Sequence, residues 1–423
     1  MEEILTQLTI DQDRLSQEID RLAACSATAA PGVTRILYTK EDTVGRELVA
    51  DYAQQAGLEI SVDALGNTFI TWKGSQPELP KVATGSHIDA IPHSGKYDGV
   101  VGVLGAIEAL RALKATGFQP QRTIEIILFT AEEPTRFGIG CLGSRALANT
   151  LSVAQLQALK DPEGGLLDPL RQAAGFQGAL SEVPLHAGDY HSFVELHIEQ
   201  GPELEAAGCD IGAVTAIAAP ATVRLIIHGS GGHAGACTMP VRKDALIPAA
   251  EMALFVQQVA LESVSEDAVA TTGLFQVHPG AVNSIPSRVT LEIDIRDTEL
   301  ASRDHMVQRV LSEASRLRNH YQIEIESTIL NEDPPATCLP ALVDLVMEVS
   351  KQEAFKAQRM ISRAYHDTLF MSQICPTTMI FVPSKNGYSH RPEEYTSPEE
   401  IRKGVKVLAA TLAKLSYMSS TIN

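Results

Sequence analysis

Four short stretches hold the residues best suited to chemistry. "GSHIDAIPHSGKYDG" (85–99) carries His87, Asp89, His93 and Asp98, and "TAEEPTRFG" (130–138) carries the adjacent Glu132 and Glu133. "FVELHIEQG" (193–201) carries His197, and "GYSHRPEEY" (387–395) carries His390. Each has an ordinary account when taken singly. A His-x-Asp in a loop is a solvated turn more often than a ligand pair, and a carboxylate pair at a strand end is usually solvated too. Together they make a set of imidazoles and carboxylates without sulfur (His87, Asp98, Glu133, His197, His390). Such a set suits divalent ions that accept nitrogen and oxygen. Two cations sharing one carboxylate fit it well, and ions about 3.5–4 Å apart bring the pKa of a shared water toward neutrality. Neighbouring side chains on extended backbone point opposite ways. Glu133 can therefore hold a metal while Glu132 stays free to take a proton and return it to a leaving nitrogen. Asp89, two residues from His87, is placed to fix that ring's tautomer.

The elements around these stretches set where they lie. Residues 1 to about 60 read as helical, interrupted at "AAPGVTRILYT" by Pro-Gly punctuation. "NTFITWKG" and "KVATGSHID" read as short strands, and "RTIEIILFTAEE" as a strand with a nearly continuous apolar run, buried on both faces. "VVGVLGAIEALRALKATG" has helical spacing and ends at Gly117, a C-terminal cap. Alternating strands and helices predict an α/β layer structure. The ligand candidates then fall beyond strand ends, where open α/β sheets place their sites.

The middle of the chain changes character. "TVRLIIHG", a helix from about 244 to 261, "TTGLFQVHPG", "SRVTLEIDIRD", the helix "SRDHMVQRVLSEASRLRNHY" and "YQIEIEST" run in the order βαββαβ. That order is the split βαβ motif of small α+β domains. We therefore expect a first domain over 1–213 and 329–423, with an inserted ferredoxin-like α+β domain over 214–328.

Composition excludes several classes. The 423 residues are 44% hydrophobic, enough for a large core divided between domains. Acidic residues outnumber basic ones 52 to 34, a net charge of −18, which argues against nucleic acid or anionic membrane partners. The six cysteines are scattered, with no C-x-x-C pair, as expected of reduced thiols. No apolar run approaches the roughly 18–20 residues of a membrane span. The N-terminal "MEEILTQLTIDQDRL" is acidic and amphipathic, unlike a signal peptide. The expected compartment is the cytoplasm, or the endoplasmic reticulum where a leader precedes the chain.

With these residues in view, the chain resembles the amidohydrolase branch of the M20 metallopeptidase family. That branch acts on allantoate, N-carbamoyl amino acids, β-ureidopropionate and ureidoglycolate. The resemblance spans about residues 30–415 and rests on "GSHIDAIPHSGKYDGVVGVLG", "EEPTRFGIGCLGSR", "ELHIEQGPELE", "HAGACTMPVRKDA", "GAVNSIPSRV" and "YSHRPEEY". "HIDAIPHSGKYDGVVGVLGAIEAL" and "AYHDTLFMSQI" are most similar to the plant-type ureidoglycolate group. The resemblance implies a di-metal catalytic domain with an inserted lid and dimerisation domain, two manganese or other divalent ions, and a homodimer. It implies that His87 and His197 hold one metal, Glu133 and His390 the other, that Asp98 bridges them, and that Glu132 is the general base. It assigns His233 to the oxyanion, reaching the partner subunit's site, Asn283 to hydrogen bonds with the substrate, and Arg296 to its carboxylate. Gln200 and His366 are further substrate contacts.

Two positions depart from the branch. Allantoate and carbamoyl enzymes tend to have a small residue before the His-Asp pair, where this chain has Tyr365. A phenol there shrinks the pocket and favours a compact, hydroxylated substrate. Residue 93 is His where the plant type has an aromatic, and we expect it beside the metal loop without being a ligand. The expected activity is hydrolysis of (S)-ureidoglycolate to glyoxylate, ammonia and carbon dioxide, in purine and allantoin catabolism. Allantoate and N-carbamoyl-L-amino-acid hydrolysis are the alternatives, and a non-catalytic binding protein on the same fold is the alternative of a different class.

Overall fold

A computed structural model describes residues 5–418. Of the N-terminal stretch read above, residues 1–4 lie outside the described residues. The chain forms two compact units. The larger takes the chain to Thr215, Cys338–Ser362 and His366 onward; the smaller takes Ala216–Thr337 and Arg363–Tyr365.

Four parallel strands form the centre of the larger unit, in the order Thr377–Val382, Tyr190–Ile198, Lys81–Ser86, Ile124–Leu128. Thr68–Trp72 and Glu59–Val62 extend the sheet antiparallel on one side, and Ile211–Ile217 on the other. Every residue of Ile124–Leu128 and Tyr190–Ile198 is buried, the condition that lets parallel strands carry continuous apolar runs. Helices Val100–Ala115 and Pro398–Ser416 pack on each other and on the central strands. Gly102 makes that approach close. A Cβ there would stand 2.4 Å from the Leu196 carbonyl oxygen and 2.6 Å from the Ser86 Cβ, so the helix presses onto the two strands that lead to His87 and His197.

The smaller unit is a four-stranded antiparallel sheet in the order Val269–His278, Arg288–Asp297, Ala219–His228, Glu324–Glu332. In chain order that is second, third, first, fourth, the ferredoxin-like arrangement. Helices Leu246–Leu261 and Leu300–Tyr321 share a core with the sheet, in which Val223, Leu225, Ile227, Leu291 and Ile293 meet Met252, Val256, Met306 and Val310. The alternating strand residues are apolar because only that face is covered.

Several boundaries differ from the sequence reading. The smaller unit runs to Thr337 because strand Glu324–Glu332 pairs on past 328, with Asn331 opposite Thr222 and Glu332 opposite Ala221. Arg363–Tyr365 belong to it as well: the Arg296 guanidinium donates to the Arg363 carbonyl at 3.0 Å and lies 6.0 Å from the Tyr365 ring centroid, and Arg363 pairs with Asp267 at 3.3 Å. The stretch 85–99 is not all loop: Ala90–Ser94 pairs antiparallel with Val33–Arg35, a strand inside the segment read as a helix break. Among the described residues, no helix is long and apolar enough to cross a membrane.

Candidate metal centre

The sequence-predicted ligands gather at the carboxyl ends of the parallel strands. His87 follows Lys81–Ser86 directly, and His197 is the second-last residue of Tyr190–Ile198. Thr84 lies opposite Val194, so three residues further the pairing brings the two imidazoles together, with ring centroids 5.9 Å apart. Asp98 stands between them and the remaining candidates. Its Oδ1 is 3.6 Å from His87 Nε2 and 3.2 Å from His197 Nε2, and its Oδ2 is 3.3 Å from His390 Nε2. His390 Nε2 is in turn 3.2 Å from Glu133 Oε1. The groups His87, Asp98, His197 and Asp98, Glu133, His390 each bring their donor atoms within 4.8 Å of one another. A third such group, Glu195, His197 and His366, is fully buried.

Local bonds aim the donors. His87 Nδ1 meets the Asp89 carbonyl at 3.1 Å, and His197 Nδ1 meets the Ile198 carbonyl at 2.9 Å. A carbonyl only accepts, so in each neutral ring Nδ1 carries the proton and Nε2 presents its lone pair to the cluster. Gly99 has φ 66° and begins helix Val100–Ala115. A Cβ there would stand 2.4 Å from His87 Nε2, and its N–H reaches His197 Nε2 at 3.1 Å. Asp89 does more than steady His87, since its two oxygens accept the N–H groups of Glu132 (3.2 Å) and Glu133 (3.0 Å). Left-handed backbone at Ala131, Cys141, Gln200 and His390 completes the turns around the cluster.

The electrostatics call for positive charge. Burial pulls the His87 imidazole down, but Asp89 and Asp98 outweigh it and hold it well above its usual range. Hydrogen bonds to Asp98 and Glu133 raise His390 to about 11. Burial pushes Asp98 up, yet the three imidazoles hold it well below the usual carboxylate range. Glu132 is raised well above the ordinary value by burial, and Glu133 is raised by the same cause. Donor atoms gathered this closely offer a cation a place, and the oxygen and imidazole donors fit divalent metal ions. Glu132 stands in none of the three donor groups. Its Oε2 is 3.8 Å from His87 Nε2, and its Oε1 accepts the Cys141 thiol at 3.5 Å.

Known proteins share this chain's sequence and fold. Residues 83–414 match the profile of Peptidase family M20/M25/M40. The chain belongs to that family. It is 50% identical over 422 residues to a ureidoglycolate hydrolase of Arabidopsis thaliana, covering 98% of this chain and 88% of that one. It is 35% identical over 404 residues to an N-carbamoyl-L-amino-acid amidohydrolase of Paenarthrobacter aurescens, covering 95% and 98%. The crystal structure of AtUAH in complex with glyoxylate has a TM-score of 0.91 at 49% identity, over 98% of this chain and 100% of that one; a complex with (S)-hydroxyglycine gives the same figures.

The other residues of this M20 chain singled out from sequence divide between the units. In the larger, Gln200 Nε2 lies on Asp98 Oδ2 at 2.7 Å. His366 is buried, its ring 4.5 Å from that of His197 and its Nε2 3.1 Å from Ser362 Oγ. His93 is exposed on the Ala90–Ser94 strand, its N–H donating to Thr34 Oγ1, and it belongs to no donor group. In the smaller unit, His233 and Asn283 sit on neighbouring exposed turns joined by the Ala234 N–H on the Asn283 carbonyl at 2.9 Å. Arg296 is held by Asp294 at 2.7 and 3.1 Å, close to Tyr365. Four residues around the centre were not singled out: Cys141, Glu195, Ser389 and Glu394. The one signal available was the second acidic pair, Glu393-Glu394, just after His390.

Proposed function

We propose that this M20 protein hydrolyses the ureido C–N bond of (S)-ureidoglycolate, yielding glyoxylate, carbon dioxide and two ammonia from one water. The observation that carries the reading is Asp98, one oxygen toward His87 and His197 and the other toward His390, with Glu132 left outside the donor groups. Two divalent ions, manganese foremost, would be held by His87 and His197 on one side and by Glu133 and His390 on the other, with Asp98 common to both. Bound there, such ions acidify water and polarise a carbonyl. Glu132, left outside the donor groups, takes the proton of the attacking water and delivers it to the leaving nitrogen.

Arg296 is assigned to the substrate carboxylate, which its planar fork suits. Asn283 hydrogen-bonds the ureido group, and His233 donates to the developing oxyanion, acting across a homodimer on the other copy's substrate. Tyr365, Gln200, His366 and His390 complete the substrate contacts. The small molecules bound in the AtUAH structures support this choice of bond. (S)-Hydroxyglycine is the amine left when ureidoglycolate loses its carbamoyl group, and glyoxylate is what remains when that amine loses ammonia.

With manganese, purified protein should release ammonia from ureidoglycolate faster than from allantoate or N-carbamoyl amino acids. The reverse ranking overturns the assignment. Failure to take up any divalent ion would favour a non-catalytic binding role.

A further inference from the structure

Glu394 is buried, and its carboxylate joins two loops that each carry a proposed ligand. Its Oε1 accepts the main-chain N–H groups of Tyr97 at 2.8 Å and Asp98 at 3.1 Å. Its Oε2 lies 3.1 Å from the Ser389 hydroxyl, and that hydroxyl lies 2.6 Å from Asp98 Oδ2. Ser389 immediately precedes His390, so Glu394 and Ser389 tie the His390 loop to the Asp98 loop across almost 300 residues of sequence. Gly95 makes room for the tie: a Cβ there would stand 2.3 Å from Glu394 Oε1. Glu394 belongs to none of the donor groups among the described residues.

The two halves of the centre differ in how much they need such a tie. His87 and His197 are held by hydrogen-bonded parallel strands. His390 sits on a loop with φ 58° and a side chain 46% exposed. A loop-borne imidazole needs another restraint if it is to meet Asp98 and Glu133 in a fixed geometry.

We propose that Glu394 and Ser389 form a positioning bracket that sets Asp98 Oδ2 against His390, so that the Asp98–Glu133–His390 half of the centre is shaped before an ion arrives. The proposal rests on the metal-centre reading above. Groups that orient ligands from behind commonly change metal affinity 10- to 100-fold when removed. Here the effect belongs to one half of the centre only.

The test is calorimetric titration of the metal-free full chain with Mn2+, with metal content measured after dialysis. Wild type should take up two ions. Glu394→Met, which keeps the bulk and removes both acceptors, should keep the first ion and bind the second about 10- to 100-fold more weakly. Ser389→Ala should weaken the second ion about tenfold, and it keeps the test open should Glu394→Met not fold. Glu394→Gln should bind both ions as wild type does. Its amide oxygen can accept from Tyr97 and Asp98, and its NH2 can donate to Ser389 Oγ while the hydroxyl still donates to Asp98. The rise in Tm on adding Mn2+ separates positioning from general stability: a merely structural change lowers metal-free and metal-loaded Tm equally and leaves that rise unchanged. Uptake of both ions at wild-type affinity by both Glu394→Met and Ser389→Ala overturns the bracket. A wild-type chain that takes up no ion overturns the metal centre and the bracket with it.

Discussion

The two halves of the candidate centre are built differently. His87 and His197 leave adjacent parallel strands, are about 1% exposed, and have Nδ1 fixed by a main-chain carbonyl. His390 is 46% exposed on a loop and is fixed by the groups it meets, Asp98 and Glu133. The first half is therefore positioned by the sheet, whose hydrogen bonds are made whether or not an ion is present. The second is positioned by side chains. If two ions bind as proposed, one would enter a site shaped with the fold and the other a site whose shape depends on its neighbours.

The largest effects separate the halves. His197→Ala should lose the tightly held ion and bring turnover to background, whereas His390→Ala should keep that ion and lose only the second. Metal content by mass spectrometry after dialysis against a chelator distinguishes them. Loss of both ions in His390→Ala would break the comparison.

Glu132→Gln should keep both ions and lose roughly 10²–10⁴ in kcat, the usual contribution of a positioned proton carrier. An active Glu132→Gln protein with full metal content would remove Glu132 from its assigned role.

The smallest effect is graded with pH. Asp98 and Glu133 raise the His390 pKa to about 11, so below that value the metal-free ring carries a proton that an ion must displace. Affinity at the exposed half should rise with pH, by at most about tenfold per unit where one proton is released. In the metal-free protein the sign is opposite. The raised folded pKa stabilises most below His390's ordinary value of 6.5, and that stability is lost as pH rises toward 11. Mn2+ titrations and metal-free Tm across pH 6–9 check both signs.

The candidate ligands His87, Glu133 and His197 could be grouped from the sequence because each lies at or just past the end of an apolar strand-like run, and parallel strands put such residues along one edge. His390 stands in a polar loop and joined the candidates only in company with the others. The βαββαβ order of the smaller unit was legible from period-2 and period-3.6 patterns. Glu394, Ser389 and Cys141 were not. They act through a main-chain N–H, a shared hydroxyl and a thiol contact, and the Glu394 bonds join positions almost 300 residues apart. No local pattern reports such a contact. Arg363–Tyr365 escaped for the same reason, since their contacts with the smaller unit include Arg296 and Asp267, both far off in sequence.

The left-handed backbone at Ala131, Cys141, Gln200 and His390 has a consequence for heat tolerance. Outside glycine, each such residue costs roughly 1–2 kcal/mol, so four together are comparable to a sizeable part of a domain's whole stability of about 5–15 kcal/mol. Strain of this kind persists at functional sites because the surrounding structure over-determines it. Ala131→Gly would relieve one of the four while loosening the turn that aims Glu132. A hardier variant is better sought on the outer helix faces than among these residues, because here resistance to heat and readiness for chemistry draw on the same backbone.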